Sequence, residues 1–273
     1  MDFAVLTRDF PFWLCDIWGV LHAGGPVHDK ALGALKAHRS QGGRVVFISN
    51  SPQPSAKVAQ HLAQKGLSGA LYDGIVTSGD VTMRLAAARS HDAYFLIGPA
   101  DYDRALLEKL PNQRVMKADD AQFLLCTGPD DMMGDEAEDY QADFAHYLSL
   151  GLPMLCANPD RVVRIGDGLY PCAGALADLY AQMGGEVIMA GKPEPAIYRD
   201  GLRLLGCVDR KKVLAIGDNI GTDAAGAAAA GLAFAIVESG IHAGEFADEA
   251  AIRAHLTREL PSLELVHVLA ELG

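Results

Sequence analysis

The sequence predicts an α/β fold built from parallel sheets that are covered by helices. Short apolar runs alternate with amphipathic helical patterns along all 273 residues. This strand–helix alternation favours parallel strands joined by helical crossovers. Half of the residues (50%) are hydrophobic and 21% are charged, which is typical of a globular protein with a sizeable core.

The elements follow from local pattern. Predicted strands are short apolar runs, several of which end in a small or polar residue: 12–18, 44–49, 74–78, 93–98, 121–128, 153–160, 161–166, 186–191, 212–217 and 234–238. Predicted helices repeat apolar residues on one side, and several stop at glycine: 28–43, 54–66, 80–88, 103–110, 136–151, 175–185, 195–206, 222–232 and 261–272. The chain is therefore expected to end in a helix.

Charge and composition exclude several classes of function. A net charge of −12 disfavours a nucleic-acid-binding protein, which needs Lys and Arg against phosphates. No signal peptide or membrane-spanning run is recognised, so we expect a cytoplasmic protein with no membrane partner. The widely spaced cysteines, with no CxxC pair, are expected to be reduced thiols: Cys15, Cys126, Cys156, Cys172 and Cys207.

Chemistry-bearing residues follow four of the predicted strands. They are Asp16, Ser49 with Asn50 and Ser51, Lys192, and the run from Asp218 to Asp223. Ligands of open parallel sheets bind beyond the carboxyl ends of the strands, so we expect these groups at one edge. Each has an ordinary alternative: Asp16 capping a turn, Ser49–Asn50 as a turn, Lys192 on the surface, and 217–223 starting a helix.

Together these groups could carry phosphoryl transfer through a covalent aspartyl phosphate. Asp16 is the candidate nucleophile, while Ser49 and backbone N–H groups would hold phosphoryl oxygens. Lys192 would neutralise the charge shared by nucleophile and phosphate. Mg²⁺ prefers oxygen ligands, which Asp16, the backbone carbonyl of Trp18 and Asp218 could supply. Asp223 could hold the ammonium of Lys192 or a metal-bound water.

Four motifs resemble those of the haloacid-dehalogenase-like (HAD) hydrolase superfamily. They are DIWGVL, FISNSP, GKPEPAIY and IGDNIGTD, in that order. The long insert before the third motif is similar to subclass IIA, whose members have a C2-type cap and include 4-nitrophenylphosphatase-like, sugar-phosphatase-like and nucleotidase-like enzymes. The resemblance implies a Rossmann-like core at 1–79 and 186–273, with an inserted α/β cap domain at 80–185.

The resemblance also implies a site and its partners. The catalytic residues would be Asp16, Lys192 and Ser49, and Asn219 and Asp223 would support the site from behind. The substrate would be a small phosphorylated metabolite, Mg²⁺ the cofactor, and a homodimer an arrangement that such caps often form. Substrate-binding residues would be Ser49, Asn50, Ser51, Lys192, Asn158 and Asp160, although residues 158–160 also read as an ordinary turn.

Trp18 departs from the family pattern, which usually has a second Asp there to protonate the leaving group and activate water. The indole N–H cannot replace it. The first interpretation is therefore a phosphatase that is slow or restricted to good leaving groups, with His22 as a weak candidate for a replacement base. Two alternatives stay open: a noncatalytic protein that binds a phosphorylated ligand, and a HAD enzyme with different chemistry at Asp16, such as phosphoryl transfer or C–P cleavage.

Overall fold

The structure, a computed structural model, describes residues 3–206 and 209–273. Two compact units divide the chain. Unit 1 comprises Met1–Ser49, Val58–Val76 and Lys192–Gly273, and unit 2 comprises Asn50–Lys57 and Thr77–Gly191. Cys207 lies outside the described residues. In the described chain no helix is both long and apolar enough to span a membrane.

Strands and helices alternate through most of the described chain. The strands are β1 (Phe12–Cys15), β2 (Arg44–Ser49), β3 (Gly74–Thr77), β4 (Tyr94–Ile97), β5 (Arg114–Val115), β6 (Phe123–Cys126), β7 (Met154–Cys156), β8 (Val162–Ile165), β9 (Gly168–Pro171), β10 (Val187–Met189), β11 (Val213–Gly217), β12 (Ala233–Val237) and β13 (Glu264–Leu269). The helices are α1 (Phe3–Asp9), α2 (Asp29–Ser40), α3 (Ser55–Gln64), α4 (Ser78–Ala87), α5 (Arg104–Leu107), α6 (Gln141–Ser149), α7 (Ala173–Gln182), α8 (Pro195–Leu205), α9 (Ala225–Ala230) and α10 (Glu249–Glu259).

Unit 1 is built on a six-stranded sheet in the order β13-β12-β11-β1-β2-β3. The strand β1 lies in its middle and pairs in parallel with β11 and β2. Helix α8 begins at a proline, which suits a first turn. It packs closely against Leu14 because the facing residue, Gly201, has no side chain. Trp13, Phe47 and Ile216 belong to the buried core, so the central strands are apolar through their length.

Unit 2 has its own parallel sheet, in the order β10-β7-β6-β4-β5. Its core includes Phe144 and Tyr180, whose rings meet edge to face at a centroid distance of 5.1 Å. The strands β8 and β9 form a separate antiparallel pair. The predicted α/β class with parallel sheets is confirmed, and this pair is the antiparallel addition to it.

The predicted closing helix at 261–272 is wrong. Residues Glu264–Leu269 form β13, which pairs in parallel with β12 through a register shift between Phe234 and Ala235. The apolar residues of ELVHVL fit a strand as well as a helix, and pairing satisfies backbone groups of β12 that would otherwise lack partners. Helix α10 was not predicted; Asp248 caps it by accepting a hydrogen bond from the Ala251 N–H.

Candidate active site

The central strands of unit 1 deliver Asp16 and Ser49 to the carboxyl edge of the sheet. Strand β1 ends at Cys15, and the Asp16 N–H continues its ladder by donating to the Ile216 carbonyl oxygen at 2.8 Å. Ser49 is the last residue of the neighbouring β2, two positions beyond Phe47, which pairs with Cys15. Both side chains are buried. The sequence predicted that the Asp16 carboxylate and the Ser49 hydroxyl lie at one edge of the sheet. The ends of β1 and β2, which carry them, do lie at the same edge.

Lys192 is a buried ammonium held between two carboxylates. Its Nζ lies 2.5 Å from Asp16 Oδ1 and 2.8 Å from Asp223 Oδ1, and only 2% of its side chain is exposed. Burying a lysine without a counter-charge is costly, so these contacts explain how the fold tolerates it. The alternative of a surface lysine is therefore wrong.

Asp218 completes a cluster of three buried carboxylates. One oxygen each from Asp16, Asp218 and Asp223 lies within 4.8 Å of the others. Asp218 Oδ2 accepts a hydrogen bond from the Ile241 N–H at 2.7 Å. Glycine is needed beside it because a Cβ at Gly19 would come within 2.0 Å of that oxygen.

The donor set fits a hard divalent cation. The cluster has three carboxylates, and among the described residues the ammonium that contacts two of them is Lys192, so the cluster carries excess negative charge when these groups are ionised. Burial raises the pKa of Asp16 well above its usual range; Lys192 opposes this shift, and Asp223 and Asp218 add to it. Oxygen ligands crowded in this way suit a hard divalent cation, which would offset their repulsion.

The segment after β11 turns sharply to place Asp223 beside Lys192. Residues Ile220–Ala224 form a single π-helical turn, a geometry that is frequent at functional sites. Asn219 stabilises the turn: its side-chain oxygen accepts from the Gly221 N–H, and its own N–H donates to Asp223 Oδ2 at 3.2 Å. Asn219 thus bonds to the Asp223 carboxylate; that the two residues support a catalytic site stays a prediction.

Tyr198 also holds this turn and was missed by sequence reasoning. Its buried hydroxyl donates to the Asp223 carbonyl oxygen at 3.1 Å, and burial raises its pKa well above the usual range. The ring lies against Gly226, where a Cβ would come within 2.3 Å of it. Nothing in the local pattern of α8 separates Tyr198 from an ordinary core aromatic residue.

Trp18 lies half-buried in the turn after Asp16, against His22. The two rings meet edge to face with a centroid distance of 5.2 Å. His22 Nδ1 accepts a hydrogen bond from the Gly24 N–H at 3.1 Å. Burial, with smaller effects from neighbouring cations, lowers the pKa of His22 to about 4. His22 is therefore neutral at pH 7. The lone pair on its Nδ1 already accepts the bond from the Gly24 N–H, which argues against a role as replacement base.

The other predicted substrate-binding residues belong to unit 2. Asn50 Nδ2 donates to Asp160 Oδ1 at 2.9 Å, and Asn158 Oδ1 accepts from the Asp160 N–H. Ser51 Oγ accepts from the Gln53 N–H. Residues 158–160 thus form the turn weighed as the ordinary interpretation, while Asn50 and Asp160 are joined across 110 positions of sequence.

Comparison with known proteins agrees with the four motifs. A family model for haloacid dehalogenase-like hydrolases matches residues 13–110, and a HAD-hydrolase-like model matches residues 189–263. A solved haloacid dehalogenase-like hydrolase from Brucella suis 1330 is 34% identical, with a TM-score of 0.87 over 99% of this chain and 98% of that one. The chain belongs to the haloacid dehalogenase-like hydrolase family. It is therefore an enzyme of this hydrolase family, and the resemblance to subclass IIA is confirmed.

Two characterised relatives of this HAD-like hydrolase are named phosphatases. Ribonucleotide monophosphatase NagD of Escherichia coli (strain K12) is 26% identical over 237 residues, which cover 84% of this chain and 87% of that enzyme. Dihydroxyacetone phosphatase of Corynebacterium glutamicum (strain R) is 33% identical over 122 residues. That second match covers 44% of this chain and only 42% of the enzyme's length.

Proposed function

We propose that this HAD-like enzyme is a Mg²⁺-dependent phosphatase that hydrolyses a small phosphorylated metabolite through an aspartyl phosphate on Asp16. The observation that carries the proposal is the buried Lys192, in contact with both Asp16 and Asp223 beside Asp218. An ammonium is useful in this position because it stabilises charge that develops when a carboxylate attacks phosphorus. The names of the relatives support a phosphorylated small molecule as substrate.

Each residue has a distinct part in the proposed reaction. Lys192 donates to Asp16 Oδ1, so the second oxygen of Asp16 would attack phosphorus as the leaving group departs. Water would then attack the phosphorus of the aspartyl phosphate, which releases inorganic phosphate and restores the Asp16 carboxylate. Ser49 would hold a phosphoryl oxygen, and Asp223 keeps the ammonium in place. Mg²⁺, held by Asp16, Asp218 and the Trp18 backbone carbonyl, would neutralise phosphoryl charge.

In the proposal, four of the predicted substrate-binding residues select the substrate. These are Asn50, Ser51, Asn158 and Asp160, and the mutual bond of Asn50 and Asp160 would hold their amide and carboxylate in fixed positions. The resemblance assigns the cap role to residues 80–185. That role, a homodimer and a cytoplasmic location remain predictions.

Trp18 narrows the class of substrate. An alkyl leaving group needs a proton as it departs, and neither the indole nor a neutral His22 with a pKa of about 4 is suited to supply it. Aryl and acyl phosphates release weaker bases and need no such proton. The proposed substrate is therefore a phosphate ester or anhydride with a good leaving group.

Phosphate release with Mg²⁺ from 4-nitrophenyl phosphate and from glycerol 3-phosphate tests the proposal. We expect wild type to prefer the aryl ester, Asp16→Asn to lose both activities, and Trp18→Asp to gain on the alkyl ester. General acid–base catalysis contributes about 10²–10⁴-fold, which sets the size of that gain. If Trp18→Asp lost activity equally on the two esters, that result would contradict the effect assigned to Trp18.

A second candidate is a noncatalytic protein that binds a phosphorylated ligand. The observation that favours it is the turn after Asp16, where the Trp18 indole cannot act as an acid or base and His22 Nδ1 already accepts from the Gly24 N–H. In that case wild type and Trp18→Asp would both be inert with either ester. Inorganic phosphate with Mg²⁺ would nevertheless raise the melting temperature of wild type.

A further inference from the structure

A loop after β12 reaches the same carboxylate that the proposed metal site uses. We name residues 239–245 the β12 loop. Its Ile241 N–H donates to Asp218 Oδ2 at 2.7 Å. Close approach is possible because residue 240 is glycine, where a Cβ would lie 2.0 Å from that oxygen. One oxygen of Asp218 is thus turned toward the loop, which fixes the direction of the other.

The same loop makes a second bond on the other side of Asn219. The Ile220 N–H donates to His242 Nε2 at 3.2 Å, so this nitrogen carries no proton. The ring proton then lies on Nδ1, which faces Glu245 Oε2 at 2.6 Å. Glu245 therefore selects the tautomer and ring orientation in which His242 can accept from the backbone.

These two bonds hold the segment that carries Asp218 and Asp223. Ile241 holds the side chain of Asp218, and His242 holds the backbone at Ile220, where the π-helical turn leading to Asp223 begins. Partners of this kind orient metal ligands, and their loss typically lowers metal affinity about 10–100-fold. His242 touches neither the proposed ligands nor the reacting atoms.

We propose that His242, oriented by Glu245, is a positioning residue that sets the affinity of the Asp218 site for a divalent cation. The proposal rests on the metal site of the proposed function and adds a residue that none of the four motifs contains. It predicts that an acceptor atom facing the Ile220 N–H is what the metal site needs from residue 242.

Two substitutions of the same residue separate this role from a general structural one. In His242→Gln the amide oxygen can replace Nε2 as acceptor, whereas the shorter side chain of His242→Asn can face Glu245 but does not reach the Ile220 N–H. Glu245→Ala removes an exposed side chain. The variant keeps the His242 ring but lacks the carboxylate that fixes the ring's orientation. His146→Asn is the matched control, because His146 also pairs with a carboxylate, Asp119, on the surface of unit 2.

The first measurement is Mn²⁺ and Mg²⁺ binding to the metal-free protein by calorimetry, without substrate. We expect His242→Asn to weaken binding about 10–100-fold, Glu245→Ala to weaken it less, and His242→Gln and His146→Asn to bind like wild type. Unchanged binding in both His242→Asn and Glu245→Ala would overturn the proposal. If His242→Asn does not fold, as judged by its melting curve, the cation affinity of Glu245→Ala decides. Weakened binding supports the proposal, and unchanged binding overturns it.

Phosphate release at varied Mg²⁺ concentration separates this inference from the proposed function. The positioning role predicts that the Mg²⁺ concentration for half-maximal rate rises in His242→Asn while kcat at saturating Mg²⁺ stays near that of wild type. If wild type binds Mn²⁺ but releases no phosphate, the catalytic proposal fails and the binding result still tests His242. If wild type releases phosphate and His242→Asn binds cations normally, only the positioning role fails.

Discussion

Asp16 in unit 1 and Asp103 in unit 2 are both buried carboxyls, and the fold treats them differently. Asp16 contacts the ammonium of Lys192 at 2.5 Å, within a cluster of further carboxylates. Asp103 accepts a hydrogen bond from the neutral amide of Gln53 at 2.9 Å. Burial raises the pKa of Asp103 to about 6, with hydrogen bonds from Thr127 and Gln53 opposing the shift.

The partners explain the difference in role. Burial raises the pKa of Asp16 as well, but the ammonium of Lys192 opposes that shift and so favours the carboxylate form that a nucleophile or a ligand requires. The amide of Gln53 opposes the effect of burial on Asp103 only in part, so the pKa of that carboxyl stays raised. Asp103 Oδ2 is buried without a hydrogen-bond partner, which penalises the charged form. The comparison teaches that burial alone does not identify a reactive carboxyl; its partner does.

The same substitution at both carboxyls is the strongest test of this comparison. Asp16→Asn should lower phosphate release by a factor on the order of 10⁴ or more, because a nucleophile cannot be replaced by an amide. Asp103→Asn should leave kcat near that of wild type. Steady-state phosphate release with 4-nitrophenyl phosphate and Mg²⁺ measures both. Comparable loss in the two variants would show that the contrast drawn between them is mistaken.

Removing the cation should be the next largest effect. Lys192→Met leaves Asp16 and Asp223 buried without their counter-charge, which should lower the free energy of unfolding by about 3–5 kcal/mol. The control is Lys30→Met, which breaks an exposed pair with Glu271 and should cost about 0–1 kcal/mol. Urea unfolding at pH 7 in EDTA measures both. Similar losses in the two variants would mean that the buried pair contributes no more than a surface pair.

The smallest expected effect is a pH dependence of stability at Asp103. Because the folded pKa of about 6 exceeds the ordinary value of 3.8, folding favours the protonated form. The contribution of Asp103 to the free energy of unfolding is full below pH 3.8. It is lost as the pH rises through 6, and the loss is about 3 kcal/mol at most. Asp103→Asn should remove this loss, since an amide is neutral at every pH.

Urea unfolding between pH 4 and 8 checks this prediction. The difference in unfolding free energy between Asp103→Asn and wild type should grow in favour of the variant as the pH rises. Asp101→Asn, at a side chain that is 96% exposed, should change stability by no more than about 0.5 kcal/mol at any of these pH values. A difference for Asp103→Asn that does not vary with pH would contradict a raised pKa.

Local pattern predicted some parts of the fold well and failed at others. Buried parallel strands such as Arg44–Ser49 and Val213–Gly217 read as short apolar runs, so their places were foreseen. The segment at 264–269 has an apolar pattern that fits both periods, and only pairing with β12 decides that it is a strand. Helix α10 was missed, although Asp248 is a recognisable cap before it.

The candidate site was predictable only in part. The positions of Asp16, Lys192 and Asp218 after apolar segments indicated a common sheet edge. Tyr198 and His242 could not be found in this way, because each reaches the site by a contact between segments distant in sequence. Such contacts depend on how elements pack, and a single sequence carries no local signal for them.

The sequence by itself determined the order of the chemistry along the chain. Apolar strands followed directly by polar side chains must present those side chains at strand ends, whatever the details of packing. Only the tertiary structure decided the state of those groups. Burial between Asp16 and Asp223 makes Lys192 a paired ammonium. Burial also makes His22 a neutral ring, whose Nδ1 accepts a hydrogen bond from the Gly24 N–H. Charge, solvation and orientation depend on neighbours in space, which the fold alone supplies.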